Sequence, residues 1–501
     1  MKNHFHWFRT TWVLIAAICG SGTAWAQDGG SASITRRVGR LDFVPCSLSG
    51  GVLGHAVDAQ CTTLSVAESR EAPDGRRIEL AIALIPAKRE AVPDPVFMLA
   101  GGPGQSARDS YTHLTGAFAE VGKTHNVVLV DQRGTGKSNR LTCVGRADAG
   151  IETTEPDLDD VRRETRRCVE KLGAQADLTR YSTTDAIADL DEVREALGLT
   201  TINLVGISYG TRVAQQYAKR YPANTRTVTL DGVVPNTLVL GNEHAKNLEA
   251  SLNAQLAQCT HDPRCADKLG DPRARLDALF TVLKTASPLV HFRSAMTGQM
   301  QHERLTRRHV AMVMRLYSYM PMLAGLLPLV LKEAGDGRYE PLMAMAELVG
   351  QSFQEGYSTG MQYSVMCTED VNELTVDPAD AQTVLGNDLV FEAKAACEVW
   401  PHGTRPADFR APLTGALPVL LLSGELDPVT PPRYGEEVAR HLPNARHLII
   451  KGQGHNVLPV GCVPKLLSQF IRTADAKQLD EACLKKVPKA LPFVDFYGWE
   501  P

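Results

Sequence analysis

Leu204-Val205-Gly206-Ile207-Ser208-Tyr209-Gly210-Thr211 is the stretch on which the fold turns. The apolar run Ile202 to Val205 leads into it with the continuous hydrophobicity of a buried strand. Val213-Ala214-Gln215-Gln216-Tyr217-Ala218 leaves it as a helix. The Gly-x-Ser-x-Gly turn between them is the pattern of a nucleophile elbow. Small neighbours let Ser208 take strained dihedrals and hold its hydroxyl above the carboxyl edge of a sheet. The helix N-terminus behind it favours negative charge that develops there.

Working outward, Val96-Phe-Met-Leu-Ala100 is another buried-strand run, and it empties into Gly101-Gly102-Pro103-Gly104-Gln105-Ser106. Glycines at such a point let backbone N–H groups approach a ligand closely, as an oxyanion hole demands. Asn126-Val-Val-Leu-Val130 precedes Asp131-Gln-Arg-Gly-Thr-Gly-Lys-Ser138, whose tail imitates a phosphate-binding loop. The full pattern needs a glycine where Asp131 stands, so a P-loop is rejected. Thr184 is placed to cap a helix carrying Ile187, Leu190, Val193 and Leu197 on one face. Thr227-Val-Thr-Leu230 is the next strand and closes with Asp231-Gly232. This alternation of strand and helix argues an α/β fold, a mostly parallel sheet with helices on both faces.

Upstream, 27–60 is a Gly/Ser-rich extension without a period, followed by a hairpin of Cys61–Val66 and Arg77–Ile85 turned at Ala72-Pro73-Asp74-Gly75. The first part of the core spans 61–235. From 236 to 412 strand patterns vanish, and apolar helical segments such as Val310–Leu331 and Tyr339–Leu348 read as an inserted lid. Met312, Met314, Met320 and Met322 fall there, suited to a pocket or, more commonly, to core packing. The second part of the core, 413–475, holds Leu417-Pro-Val-Leu-Leu-Leu422 before Gly424-Glu425-Leu426-Asp427-Pro428, then His447-Leu-Ile-Ile450 before Gly452-Gln453-Gly454-His455. A tail, 476–501, follows.

A serine hydroxyl is a poor nucleophile until a base takes its proton. In the α/β-hydrolase arrangement the partners follow in the order Ser, acid, His, each on a loop beyond a strand end. Of the histidines after Asp427, His441 is expected in a helix and His447 in a strand. His455 alone sits on a Gly-flanked loop directly after a strand, and is assigned as general base. The preceding strand offers Glu425 and Asp427, and Asp427, stiffened by Pro428 and Pro431, is preferred as the group that orients the imidazole. The oxyanion donors expected are the N–H groups of Tyr209 and Gly102. The set predicts a serine hydrolase with an α/β-hydrolase fold, needing no cofactor or metal. A carboxylesterase or lipase would use the same triad and remains the alternative.

Composition agrees with a globular enzyme: 44% hydrophobic and 22% charged residues among 501, with a formal charge of −4. No basic run or tail suggests nucleic acid as a partner. Residues 1–26 read as a signal peptide, with Lys2 and Arg9, an apolar core from Trp12 to Ile18, and a small-x-small site at Ala24-Trp25-Ala26. That apolar core is far short of the ~20 residues a span needs, so no stable membrane insertion is expected once the signal is removed. Export to the periplasm or the medium follows. Cys19 lies in the signal, leaving Cys46, Cys61, Cys143, Cys168, Cys259, Cys265, Cys367, Cys397, Cys462 and Cys483. An even count in an exported chain reads as disulfides, taken here in chain order as 46–61, 143–168, 259–265, 367–397 and 462–483. No CxxC or HxxxH cluster supports zinc.

Gly101–Gly104, Asp131–Gly136, Gly206–Thr211, Asp427-Pro428 and Gly454-His455 together resemble the secreted tripeptidyl aminopeptidase-like branch of the proline iminopeptidase-like α/β-hydrolases. Cys367-Thr-Glu-Asp370 and Cys397-x-x-Trp400-Pro extend that resemblance through the C-terminal third. One departure is Ala100, where the proline iminopeptidase loop begins with His. The resemblance implies peptide substrates, with amino acids or short peptides, tripeptides among them, released from free N-termini. Such an enzyme needs anionic groups for the substrate ammonium, and Glu369 and Asp370 are the expected ones.

Overall fold

The structure, a computed structural model, describes residues 35–50, 54–143 and 157–499. The signal segment 1–26 lies outside them. Twelve strands occur among the described residues: β1 (Arg36–Val38), β2 (Leu41–Leu48), β3 (Val57–Ala67), β4 (Arg77–Ile85), β5 (Val96–Leu99), β6 (Val127–Val130), β7 (Ile202–Ile207), β8 (Thr225–Asp231), β9 (Leu289–Arg293), β10 (Met300–Arg304), β11 (Val419–Gly424) and β12 (Ala445–Ile450). Ten of them form one sheet in the order β1-β2-β3-β4-β6-β5-β7-β8-β11-β12. From β6 to β12 every pairing is parallel, whereas β1 to β4 run antiparallel and meet β6 antiparallel.

The parallel strands are apolar at successive positions because both faces are covered. β5, β6, β7 and β11 are buried along their whole length. Alternation sorts their side chains into two cores. Val128, Val130, Leu204 and Leu421 pack with Ile187, Leu190 and Val193 of the helix Thr183–Ala196 and with Val213 and Tyr217 of the helix Tyr209–Arg220. Val127, Leu129, Val205 and Leu420 face the other way, onto Tyr111 and onto Leu467 and Phe470 of the helix Val463–Thr473.

Several local expectations need correction. The extension before residue 61 is not periodless coil: β1, β2 and the start of β3 add to the sheet's antiparallel edge, and Cys46–Cys61 joins β2 to β3. Ser182, not Thr184, caps the next helix, in a reciprocal capping box with Asp185. The inserted region carries a two-stranded hairpin, β9 with β10, beside its helices. The run Val310–Leu331 is divided into Arg307–Tyr317, Pro321–Ala324 and Leu327–Gly335, broken where prolines remove helical N–H donors. Leu248, Leu252, Val313, Met314 and Leu327 give this region a core of its own. Met320 and Met322 are exposed rather than packed. Met361, Val365, Cys397 and Trp400, also within 236–412, pack into the sheet's core instead. The remaining disulfides are Cys143–Cys168, Cys259–Cys265, Cys367–Cys397 and Cys462–Cys483. No helix among the described residues is long and apolar enough to cross a membrane.

Candidate active site

The elbow is built by two glycines that nothing larger could replace. A Cβ on Gly206 would stand 2.4 Å from the Gly210 carbonyl oxygen, and one on Gly210 would stand 2.2 Å from that of Leu99. Their absence lets β7 and the helix Tyr209–Arg220 meet in a turn tight enough to hold Ser208 at φ 55° and ψ −123°. That conformation costs a non-glycine residue ~1–3 kcal/mol and persists because its surroundings over-determine it. Ser208 N–H donates to the Asp231 carbonyl at 2.8 Å, and Thr211 N–H to the Ser208 carbonyl at 2.9 Å.

The glycine loop lies against the serine. A Cβ on Gly101 would approach Ser208 Cβ to 3.0 Å. Gly102 has φ +112°, open to glycine and strained for other residues. Ser358 N–H donates to the Gly104 carbonyl at 2.9 Å, and the Tyr357 ring closes over Gly102. Tyr209 opens its helix, so no preceding turn accepts its N–H.

β11 and β12 end beside this turn and carry the acid and the imidazole. His455 Nδ1 donates to Asp427 Oδ2 at 2.8 Å, with both side chains buried. Asp427 also accepts from Thr430 Oγ1 and from the N–H groups of Val429 and Thr430, each at 2.8 Å. Burial alone would raise the Asp427 pKa, but the His455 charge and these donors hold it below the ordinary value. Burial would likewise lower His455, yet the charge and hydrogen bond of Asp427, helped by Asp231, hold it above the usual imidazole value.

Asp231 escaped the sequence reading. At the end of β8 its backbone carbonyl holds Ser208 N–H, while its fully buried carboxylate accepts from Val457 N–H at 2.9 Å and Leu458 N–H at 3.0 Å. One residue therefore ties the serine turn to the loop that carries His455. Burial pushes its pKa to about 6 against those donors and the His455 charge, with Asp427 adding repulsion. Its position at a strand end, before Gly232, was the available signal.

The inserted region completes the site from above. His455 N–H donates to the Tyr319 carbonyl at 2.8 Å, and the two rings meet edge-on at 5.1 Å. Helix His244–His261 braces the acid loop along one face. Asn247 Nδ2 donates to Val429 O at 2.8 Å, Ser251 Oγ to Leu426 O at 2.6 Å, and Gln255 Nε2 to Ser318 O at 3.1 Å.

Glu369 and Asp370 are not where an ammonium group could reach them. Both are buried at the end of the helix Thr359–Glu369. Glu369 accepts from Thr183 N–H at 2.6 Å and Thr183 Oγ1 at 2.9 Å, while Asp370 accepts from Arg212 at 3.1 Å and Arg410 at 2.9 Å. Burial outweighs the Arg212 charge and lifts Glu369 to about 7, with Asp370 adding to the rise. Carboxylates so engaged serve the packing of the fold rather than a ligand. The rejected P-loop is also structural: Asp131 accepts from Ser106 Oγ at 2.7 Å and Lys137 N–H at 3.0 Å, and Arg133 binds Asp189. His447 sits in β12 against Ser423, and Glu425 accepts from Gly452 N–H at 2.7 Å. His441 lies in the turn after the helix Pro432–Ala439, not within it. Among the described residues, no cluster of three or more His, Cys, Asp or Glu converges as a metal site requires.

Fold and site define a serine hydrolase of the α/β-hydrolase type. The alpha/beta hydrolase fold family matches residues 94–277, and the TAP-like protein family matches 382–483. Serine protease Hip1 of Mycobacterium tuberculosis is 26% identical, over 86% of this chain and 88% of its own length. Tripeptidyl aminopeptidase of Streptomyces lividans is 28% identical over 42% of each chain, and Carboxylesterase B of Mycobacterium tuberculosis 26% identical over 77% of this chain and 78% of its own. These matches make the chain similar to the tripeptidyl aminopeptidase-like serine peptidases of the α/β-hydrolase superfamily.

Proposed function

We propose that the protein is an exported aminopeptidase that releases amino acids or short peptides, tripeptides among them, from free N-termini through an acyl-enzyme on Ser208. The observation that carries this reading is the buried 2.8 Å Asp427–His455 hydrogen bond on the strand ends beside the strained Ser208 turn. With Nδ1–H committed to Asp427, His455 Nε2 is left as the base. Ser208 Oγ attacks the scissile carbonyl as its proton passes to Nε2. The oxyanion so formed is met by the N–H groups of Tyr209 and Gly102. Collapse breaks the C–N bond, and the amine departs with the proton from His455. Water, deprotonated by the same nitrogen, then cleaves the ester and restores Ser208.

The peptide reading is supported by the likeness to tripeptidyl aminopeptidases and to Hip1. The likeness to Carboxylesterase B favours ester hydrolysis as the second reading. Hydrolysis of a fluorogenic tripeptide amide, N-terminally free or acetylated, separates the two. The aminopeptidase reading expects strong preference for the free amine. Equal or absent cleavage of both, with turnover of short acyl esters, moves the protein to the esterases. Export is supported by the apolar N-terminal segment and by five disulfides, which persist in oxidising compartments. A mature N-terminus at Gln27 in a periplasmic or medium fraction is the expected result. The lid is assigned to 236–412 between core segments 61–235 and 413–475, with 27–60 as extension and 476–501 as tail.

A further inference from the structure

Arg315 is a half-buried cation on the helix Arg307–Tyr317, and among the described residues it has no ion pair or hydrogen bond. Such a group is uncommon in this molecule. Arg133, Arg212 and Arg308, each taken into the interior to some degree, are met by carboxylates. Withdrawing a guanidinium from water without an acceptor is costly, and the cost falls when a ligand brings the anion.

Its place in the fold says which ligand. Helical turns continue past Tyr317, with Ser318 N–H on Met314 O and Tyr319 N–H on Leu316 O, so Arg315 and Tyr319 stand one turn apart on the same side. Tyr319 is the residue whose carbonyl and ring hold His455. Tyr357, which covers Gly102, has its hydroxyl pKa raised chiefly by burial, and the Arg315 charge acts on it in the opposite sense. His244 also lies within reach of the Arg315 charge, on the side of its helix that carries Asn247, Ser251 and Gln255 onto the acid loop. Burial first, and the Arg315 charge second, hold His244 near 3, so it stays neutral and adds no competing cation. Tyr319, Tyr357 and His244 are each partly buried.

From this arrangement we infer that Arg315 is a substrate-binding residue that receives a carboxylate of the peptide at the roof of the active site. The inference rests on the peptidase reading, and it names a part of the substrate that reading leaves open. The carboxylate comes from the C-terminus of a short peptide or from an acidic side chain. A terminal source would make the enzyme a trimmer of small fragments rather than of whole proteins.

Binding to the full-length, disulfide-bonded Ser208→Ala protein tests this without turnover. Calorimetry would compare tetra-alanine with its C-terminal amide, and Ala-Ala-Glu-Ala-amide with its Gln counterpart. At least tenfold tighter binding of one carboxylate form over its neutral partner is expected, and the pair that shows it identifies the source. Arg315→Gln should abolish that preference and Arg315→Lys retain part of it, with unchanged thermal unfolding. Equal affinity for charged and neutral peptides, no binding of any, or a preference that survives Arg315→Gln overturns the inference. If discrimination is seen but the wild-type enzyme cuts none of these peptides, carboxylate binding at Arg315 stands and the peptidase reading falls.

Discussion

The sheet edge and the inserted region meet at the same serine, yet they contribute in different ways. The edge places the candidate reacting groups on tight turns, where Gly206 and Gly210 leave no room for a side chain. The inserted region supplies a carbonyl and a ring from Tyr319, a ring from Tyr357 and the bracing amides of Asn247 and Gln255. In the proposed mechanism, chemistry falls to the strand ends and substrate choice to the packed helices laid over them. Such a division lets one reaction serve different substrates by changing the cover alone.

The comparison breaks most sharply at Ser208. Ser208→Ala should lower kcat by roughly 10⁴–10⁶-fold and abolish fluorophosphonate labelling while leaving peptide binding intact. Residual labelling would place the nucleophile elsewhere. Asp427→Asn should cost about 10⁴-fold in kcat. The sign of its pH effect is determined by what Asp427 does. Its charge holds the His455 pKa up, and catalysis needs neutral imidazole, so removing the charge should move the acid limb of kcat/KM to lower pH. An unmoved limb would mean that another group sets it.

Asp231→Asn sharpens the comparison within the edge itself. The residue touches no substrate but ties the Ser208 turn to the His455 loop, so a loss of about 10–100-fold, mainly in kcat, is expected. Its acid limb should shift in the same direction as that of Asp427→Asn, by less. A purely structural role would lower the melting temperature without moving that limb. Tyr319→Ala, on the other side, keeps the carbonyl and removes only the ring, worth ~1 kcal/mol against His455. Steady-state kinetics should show a several-fold rise in KM with kcat little changed. A loss as large as that of Asp231→Asn would erase the division between the two regions.

How much of this was legible follows the same line. Ser208, Asp427 and His455 stood out as candidates because each sits just past an apolar strand, in a short context rich in glycine or proline. Cysteines near each other in the chain were readily matched, since short loops close at little entropic cost. Glu369 and Asp370 were misread for the opposite reason. Two acids after a cysteine look solvated in a linear sequence, and only the approach of Arg212, some 158 residues away from Asp370, shows where they go. β1, a three-residue edge strand paired with β2, and β2, held between β1 and β3, were missed because Gly/Ser-rich surroundings hide them.

By itself, then, the amino-acid order determined the strand-and-helix alternation, the strained serine turn and the candidates for acid and base. All of these depend on residues within a few positions of one another. Tertiary structure alone decided the clamp at Asp231, the seat of His455 under Tyr319, and the burial of Glu369 and Asp370. Each of those depends on elements brought together from distant parts of the chain, where burial and charge neutralisation are set by partners no local pattern names.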